Sequence, residues 1–311
     1  MQRNPRRHPS AEGGAADSVR AMHIGLFLGA FVPPVSPAFL AAAAKGAEAR
    51  GFHSVWVGEH VVLFDRYAKE YPYADSGEFP LSGEGGMAEP FTTLAWLAGQ
   101  TTTIRLGTGV ILVPQRNPLY TAKEVANVDW LSGGRFDFGI GVGWQREEFE
   151  ALQVPWERRG ARNDEYIELM RRLWMDAESS HQGEFWQLEP SRAFPKPVQQ
   201  PHPPIHIGGE SDVALRRVAR LGAHWLPFNV TPTALVERRA TLAQLLQEKG
   251  RPIEDVHITV SPNRDAARPE EAAAFAEAGA DQLLVHLRRK WNLDNLDDGL
   301  DELAAAYGVG S

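Results

Sequence analysis

Short apolar runs alternate with longer amphipathic stretches along most of this chain. From Met22 onward, each run rich in Val, Ile, Leu and Phe is followed by a stretch with apolar residues at helical spacing. The predicted strands are residues 23–28, 54–59, 104–112, 136–142, 205–208, 224–228, 256–261 and 282–287. The predicted helices are residues 39–50, 91–100, 118–131, 163–174, 213–221, 233–249, 269–278 and 296–307. This alternation is typical of a parallel α/β fold.

The number of elements indicates the architecture. Eight strands alternating with eight helices predict an α/β fold of one TIM-type (β/α)8 barrel. An open doubly wound sheet stays as the alternative, because the pattern alone does not separate a closed sheet from an open one. Residues 176–204 are too long and too proline-rich for an ordinary connection. We therefore expect an insertion between the fourth and fifth strands, packed over the C-terminal mouth of the barrel.

Length and N-terminal composition set the predicted domain boundaries. A chain of 311 residues is long enough to bury a full core, and we predict one barrel domain over residues 21–311. Residues 1–20 are polar and rich in Gly and Ala, which predicts a disordered extension. The Arg6–Arg7 pair is not followed by the apolar stretch that a twin-arginine signal needs.

Charge and cysteine content exclude several classes of function. A net charge of -8 argues against nucleic acid or an acidic membrane surface as the main partner. The absence of cysteine excludes disulfides, thiolate metal sites and cysteine nucleophiles, and it is compatible with the reducing cytoplasm, where we expect this protein. No apolar run in the sequence approaches the roughly 20 residues that span a bilayer.

Four segments in register on the predicted strands resemble one family. They are VWVGEH (55–60), LGTGVILVPQRNP (106–118), SGGRFDFGIGVGW (132–144) with a following EEF, and PPIHIGG (203–209). Together they resemble the luciferase-like monooxygenase superfamily, most closely its branch that uses the deazaflavin coenzyme F420. The resemblance runs from about Met22 to Trp225 and implies a bacterial-luciferase-like barrel that binds a flavin-type cofactor at its mouth.

The segment Gly208, Gly209, Glu210 and Ser211 follows the fifth predicted strand. Glycines at a strand end let the backbone approach a ligand, and Ser211 or Asp212 is suited to cap the next helix. By themselves these residues favour a plain tight turn. The resemblance implies instead that they bind the cofactor phosphate, with Arg264 and Arg288 as candidate second anion contacts.

Two further glycine-containing segments are assigned to the cofactor. The resemblance implies a bulge with a non-proline cis peptide at Gly109–Val110, behind the central cofactor ring; without it, glycines in a strand simply relieve crowding. Gly141 and Gly143 do not have the spacing of a dinucleotide-binding fingerprint, and we expect them to make room at the mouth for Trp144 beside the ring. Some deazaflavin-dependent sugar-phosphate dehydrogenases carry an acid where Trp144 stands, so that acid's role and that substrate are in doubt here.

His60 is the candidate catalytic residue. Imidazole titrates near neutrality, and His60 directly follows the second predicted strand, whose end faces the mouth. The resemblance implies a functional histidine at this position, whereas the simplest reading is a histidine bonded to backbone or to the cofactor. Glu59 points the other way along the strand, so we predict no Glu59–His60 dyad. His202 and His206 are separated by two prolines that forbid helical metal-ligand spacing, and His206 is expected to pack at the fifth strand.

The functional prediction is hydride transfer between F420 and a small organic substrate. The alternatives are an FMN-dependent monooxygenase on the same fold, a metal-dependent hydrolase barrel, and a flavin-binding protein without turnover. The H-x-H typical of the first strand of such hydrolases is absent, since HIGLFL holds only His23, and no metal site is predicted. The sequence leaves the substrate and the oligomeric state open, with a homodimer as one option.

Overall fold

The computed structural model describes residues 22–29, 31–32, 35–79, 86–262, 268–287 and 291–310. The predicted disordered extension, and the candidate anion contacts Arg264 and Arg288, lie outside the described residues. The strands are β1 (His23–Phe27), β2 (Phe31–Val32), β3 (Ser54–Val57), β4 (Gly86–Met87), β5 (Arg105–Thr108), β6 (Ile111–Leu112), β7 (Phe136–Gly141), β8 (Ser179–Gln182), β9 (Gln187–Ser191), β10 (Ile205–Gly208), β11 (His224–Leu226), β12 (Thr259–Val260) and β13 (Gln282–His286). The α-helices are α1 (Pro37–Ala49), α2 (Pro90–Ala98), α3 (Pro118–Leu131), α4 (Arg146–Ala151), α5 (Arg159–Met175), α6 (Asp212–Leu221), α7 (Pro232–Gln247), α8 (Pro269–Glu277) and α9 (Leu296–Tyr307). Short 3-10 turns cover Val113–Gln115 and Ile253–Asp255.

Eight parallel strands form the barrel. Their order around it is β1, β3, β5, β7, β10, β11, β12 and β13, and β13 pairs with β1. Parallel bridges Trp225↔Ile258 and Phe228↔Ser261 join the β11 and β12 sides and nearly close the sheet. The predicted TIM-type barrel is confirmed, and the open-sheet alternative is wrong.

Apolar faces and capping residues determine where the helices lie. Leu26, Val55, Leu106 and Phe136 on neighbouring strands are fully buried in the hydrophobic core. These buried apolar side chains belong to the core that joins the strands to the surrounding helices, which is the usual arrangement of this architecture. Helix α6 begins where the Ser211 side chain accepts a bond from the Ala214 N–H at 3.3 Å, so the predicted cap is confirmed.

The insertion does not lie where it was predicted. Strands β8 and β9 form an antiparallel hairpin, and Glu165 on α5 accepts bonds from the backbone N–H groups of Glu184, Phe185 and Trp186. Beyond the hairpin, the Gln199 side chain donates to the carbonyl of Phe136 at the N-terminal end of β7. These contacts of the insertion run along the outside of α5 to the floor of the barrel, which we define as the N-terminal ends of its strands. The prediction of a cover over the C-terminal face is wrong.

A different segment covers the mouth. Residues 61–79, which follow β3, are attached on one side by the Ala68 N–H, which donates to Glu147 of α4 at 2.6 Å. On the other side the ring of Tyr73 packs on the ring of Phe228, which follows β11, with centroids 4.7 Å apart. We call residues 61–79 the mouth loop. It spans the C-terminal face from the end of β7 to the end of β11.

Candidate active site

The barrel brings the predicted cofactor residues of three strands into contact. The Gly109–Val110 peptide is cis, as predicted, and it lies between β5 and β6. A Cβ on Gly141 would lie 2.8 Å from Cγ2 of Val110, and one on Gly208 would lie 3.1 Å from Cγ1 of the same side chain. Val110 therefore packs closely against both strand ends, and a side chain at Gly141 would clash with it.

His60 lies beside a buried carboxylate that sequence reasoning did not assign. Its Nδ1 is 3.4 Å from Oε2 of Glu148, within ion-pair range although long for a hydrogen bond. Glu148 is fully buried on α4, where its Oε1 accepts from the Val61 N–H at 2.7 Å and its Oε2 from the Gln115 amide at 3.2 Å. Burial raises the pKa of Glu148, but the contacts with His60, Gln115 and Val61 outweigh it and hold the pKa below its usual value. Glu148 is thus an ionised partner for His60.

Glu59 is separate from this pair, as predicted. Its carboxylate accepts from the Leu112 N–H at 2.6 Å and forms an ion pair with Arg116. Arg116 also reaches Glu124 at 3.0 Å, so it joins the end of β3 to α3. Burial raises the pKa of Glu59, while Arg116 and the Leu112 N–H act in the opposite direction. This network supports the strand ends and leaves Glu148 as the acid next to His60.

Aromatic rings of the mouth loop surround His60 and Trp144. The Trp144 ring lies 5.1 Å from the Tyr71 ring and 5.6 Å from the Phe79 ring, and the His60 ring is 4.7 Å from Phe79 (centroid distances). Trp144 itself is 6.0 Å from His60. The structure therefore brings Trp144 and His60 together at the mouth, among partly buried aromatic rings. Low local polarity strengthens the interaction between His60 and Glu148.

The residues after β10 form a tight turn. Gly209 has a φ of +105°, its carbonyl accepts from Nε1 of Trp225 at 2.9 Å, and the N–H groups at the start of α6 follow directly. The Glu210 carboxylate accepts from the Phe228 N–H at 2.6 Å and from the Tyr73 side chain. Burial raises the pKa of Glu210. The Glu210 side chain thus holds the mouth loop through Tyr73, and it also contacts its own backbone N–H.

Two side-chain amide oxygens at this end of the barrel, Oε1 of Gln115 and Oε1 of Gln145, are buried without a hydrogen-bond partner. Nδ1 of His60 is also buried, and it faces the Glu148 carboxylate at 3.4 Å without hydrogen-bond geometry. Buried polar groups are normally satisfied, so such atoms require a partner from outside the chain or a rearrangement. Together with the glycine turn after β10, they fit a planar cofactor ring that carries hydrogen-bonding edges and a phosphate.

The floor of the barrel contains most of the other histidines. His206 on β10 is buried, as expected, and its Nε2 lies 3.6 Å from Oδ1 of Asp137. Its ring lies 5.1 Å from that of His224 and 6.0 Å from that of His257. His23 and His53 stack at 4.0 Å. We call these five histidines the floor cluster.

Neither a metal site nor a membrane span is found in the part of the chain that the structure describes. No group of three or more His, Cys, Asp or Glu side chains in those ranges could hold a metal ion. No helix there has the length and apolarity needed to cross a bilayer.

Comparison with known proteins yields one family. The sequence model of the luciferase-like monooxygenase family matches residues 22–307. An uncharacterised protein of Mycobacterium tuberculosis is 32% identical over 266 residues, which are 85% of this chain and 91% of that protein. The oxygenase component of the flavin-dependent trigonelline monooxygenase of Acinetobacter baylyi is 32% identical over 238 residues, 74% of this chain and 59% of that protein. Among solved structures, an F420-dependent secondary alcohol dehydrogenase in complex with an F420–acetone adduct superimposes with a TM-score of 0.72 at 16% identity, covering 92% of this chain and 99% of the other.

Proposed function

We propose that this chain, which belongs to the luciferase-like monooxygenase family, transfers a hydride between coenzyme F420 and a small organic substrate. Membership makes it a flavin- or F420-dependent oxidoreductase rather than a hydrolase; the choice of F420 and of hydride transfer is our proposal. The observation that carries it is the pair of His60 and buried Glu148 at the mouth. Hydride transfer to or from a carbon bearing oxygen requires a matching proton transfer, and this pair is built to handle a proton.

His60 takes or gives the proton at Nε2. Because Nδ1 faces the Glu148 carboxylate, Nδ1 keeps its hydrogen and Nε2 is the atom that exchanges one. Glu148 fixes this tautomer and stabilises the imidazolium when it forms. Nε2 makes no hydrogen bond to any side chain or backbone group that the structure describes, which leaves it open to a bound molecule.

The proposed cofactor contacts are formed by backbone. The N–H groups of Gly209, Glu210 and Ser211 precede α6 and would hold the phosphate, since helix starts favour anions. The ridge at Gly109–Val110 would support the ring, with Gly141 and Gly143 leaving space for it beside Trp144. A deazaflavin bound there would supply hydride chemistry without oxygen activation.

FMN-dependent monooxygenation is the second candidate. The observation that favours it is the 32% identity to the oxygenase component of a flavin-dependent monooxygenase. The same glycine turn suits the FMN phosphate, so the fold does not separate the two cofactors.

Binding titrations with F420 and with FMN test the proposal. We expect the purified protein to bind F420 at least ten-fold more tightly than FMN, as followed by fluorescence. Gly209→Val should weaken binding by about ten- to a hundred-fold, because its φ disfavours a β-branched residue and one or two charged hydrogen bonds are lost. Tighter binding of FMN, with flavin-dependent oxygen consumption, would favour the monooxygenase instead.

A further inference from the structure

The Glu210 carboxylate lies against the same backbone that is assigned to the cofactor phosphate. Glu210 stands between Gly209, whose φ is +105°, and Ser211, which caps α6. Its Oε1 accepts a hydrogen bond from the Phe228 N–H at 2.6 Å, and the carboxylate also contacts its own N–H. That N–H is one of those proposed to hold the phosphate. The chain therefore directs one of its own anions to a group that a phosphate would use.

Only neutral groups hold this carboxylate. Its hydrogen-bond donors are the N–H groups of Phe228 and Glu210 and the phenol of Tyr73. Glu210 forms no ion pair with a residue that the structure describes, and Arg238 on α7, whose charge acts on Glu210, is bonded through Nη2 to Asp212 at 2.6 Å. Burial raises the pKa of Glu210 in spite of these contacts, so they do not fully replace the lost water. The carboxylate is thus weakly held in its position.

A phosphate would compete with this carboxylate. Each N–H group donates a single hydrogen, and two anions at hydrogen-bonding distances repel each other strongly where water is partly excluded. Glu210 is half-buried, so water screens such repulsion only in part. A phosphate carries more charge and three acceptor oxygens, which suit the unpaired N–H groups at a helix start. The two anions therefore exclude each other at this turn.

The same carboxylate holds one side of the mouth loop. The Tyr73 phenol bonds to it, and the Tyr73 ring packs on the Phe228 ring with centroids 4.7 Å apart. Burial, and then the charge of Glu210, raise the pKa of Tyr73, so the phenol keeps its hydrogen and donates it. The other side of the loop is held separately, by the Ala68 N–H on Glu147 at 2.6 Å. Loss of the Glu210 contact would therefore release only the side of the loop near β11.

We propose that the Glu210 carboxylate leaves the start of α6 when a phosphate binds there, and that its departure releases Tyr73 and this side of the mouth loop. This exchange rests on the proposed function, because the N–H groups concerned are those assigned to the cofactor phosphate. The coupling is reciprocal: the contact between Tyr73 and Glu210 weakens phosphate binding by the same factor by which phosphate weakens that contact.

Calorimetric titration with inorganic phosphate tests the exchange. Glu210→Gln keeps the size of the side chain and one acceptor oxygen but removes the charge, so phosphate should bind about ten- to a hundred-fold more tightly. Glu237→Gln is the matched control: it removes the same charge from an exposed position on α7 and should leave the affinity unchanged. Gly209→Val, added to Glu210→Gln, should abolish the gain, which locates the phosphate at the turn after β10.

Hydrogen exchange of the mouth loop is the second measurement. In the wild type, inorganic phosphate should speed the exchange of the amides around Tyr73 by about ten-fold, because that side of the loop opens more often. In Tyr73→Phe these amides should exchange faster from the start, and phosphate should add nothing. Equal phosphate affinity in the wild type and Glu210→Gln, or a mouth loop whose exchange ignores phosphate, would overturn the proposal.

These outcomes are separate from those of the proposed function. If the protein shows the Glu210 effects but transfers no hydride with F420, the exchange stands and the proposed reaction is wrong. If it transfers hydride with F420 while Glu210→Gln leaves phosphate affinity unchanged, the reaction stands and the exchange is wrong.

Discussion

Both ends of the barrel contain histidine, but the surroundings give the residue opposite properties. At the mouth, His60 stands against one ionised, fully buried carboxylate. At the floor, burial lowers the pKa of His53 to about 4, of His224 to about 3 and of His257 to about 4, with neighbouring histidines adding to the effect. Burial and neighbouring imidazoles thus favour the neutral form of these three floor histidines, whereas the group that faces His60 at the mouth is a carboxylate whose pKa is held below its usual value.

Replacement of His60 should have the largest effect. His60→Ala should lower turnover with F420 and an identified substrate by about 10²–10⁴-fold, because the proton is no longer transferred by a positioned group. His60→Gln should keep more cofactor affinity than activity. The matched control at the floor is His23→Ala, for which steady-state kinetics should show unchanged turnover. Comparable losses in both variants would remove the distinction between the two ends.

Replacement of Asp137 is a test at the floor of the barrel, where we expect stability rather than turnover to change. Asp137 accepts two bonds from Arg105, both 2.7 Å long, and lies beside His206. Asp137→Asn removes the carboxylate that pairs directly with the largely buried Arg105, so the free energy of unfolding should fall by about 3 kcal/mol. Urea denaturation measures this loss, and turnover per folded molecule should be unchanged. A variant of full stability would show that the ion pair is not needed at the floor.

The smallest of these effects should be the change in the free energy of unfolding with pH. The histidines with lowered pKa values bind fewer protons when folded than when unfolded, where their pKa is about 6.5. Their contribution is therefore complete above that pH and is lost as the pH falls toward 4. Between pH 7 and pH 6 we expect the free energy of unfolding to fall by about 1–2 kcal/mol, after allowance for partial exposure. His257→Gln should reduce this slope, and an unchanged slope would contradict the assignment.

The sequence predicted the barrel well because each strand buries an apolar run and several helices have clear caps. It missed the hairpin formed by β8 and β9, since its residues are mostly polar and it is held by Glu165 on another element. At the site, His60 and the cis peptide at Gly109–Val110 were predicted from the family resemblance. Glu148 was not, because it lies on the six-residue helix α4 and meets His60 only when two distant strand ends are joined.

The floor cluster was missed for a related reason. Its histidines lie at or next to the beginnings of five different strands, and no local spacing connects them. Only closure of the barrel places their rings within 4.0 to 6.1 Å of a neighbour. Residues that become neighbours through closure have no signature in a single sequence.

The mouth loop is attached on both rims of the barrel, by Glu147 and Glu148 on one side and by Glu210 and Phe228 on the other. We expect this loop to act as a gate to His60 whose opening is a separate kinetic step, since such steps limit turnover in many enzymes. The residence time of a product would then depend on the strength of the Tyr73–Glu210 contact.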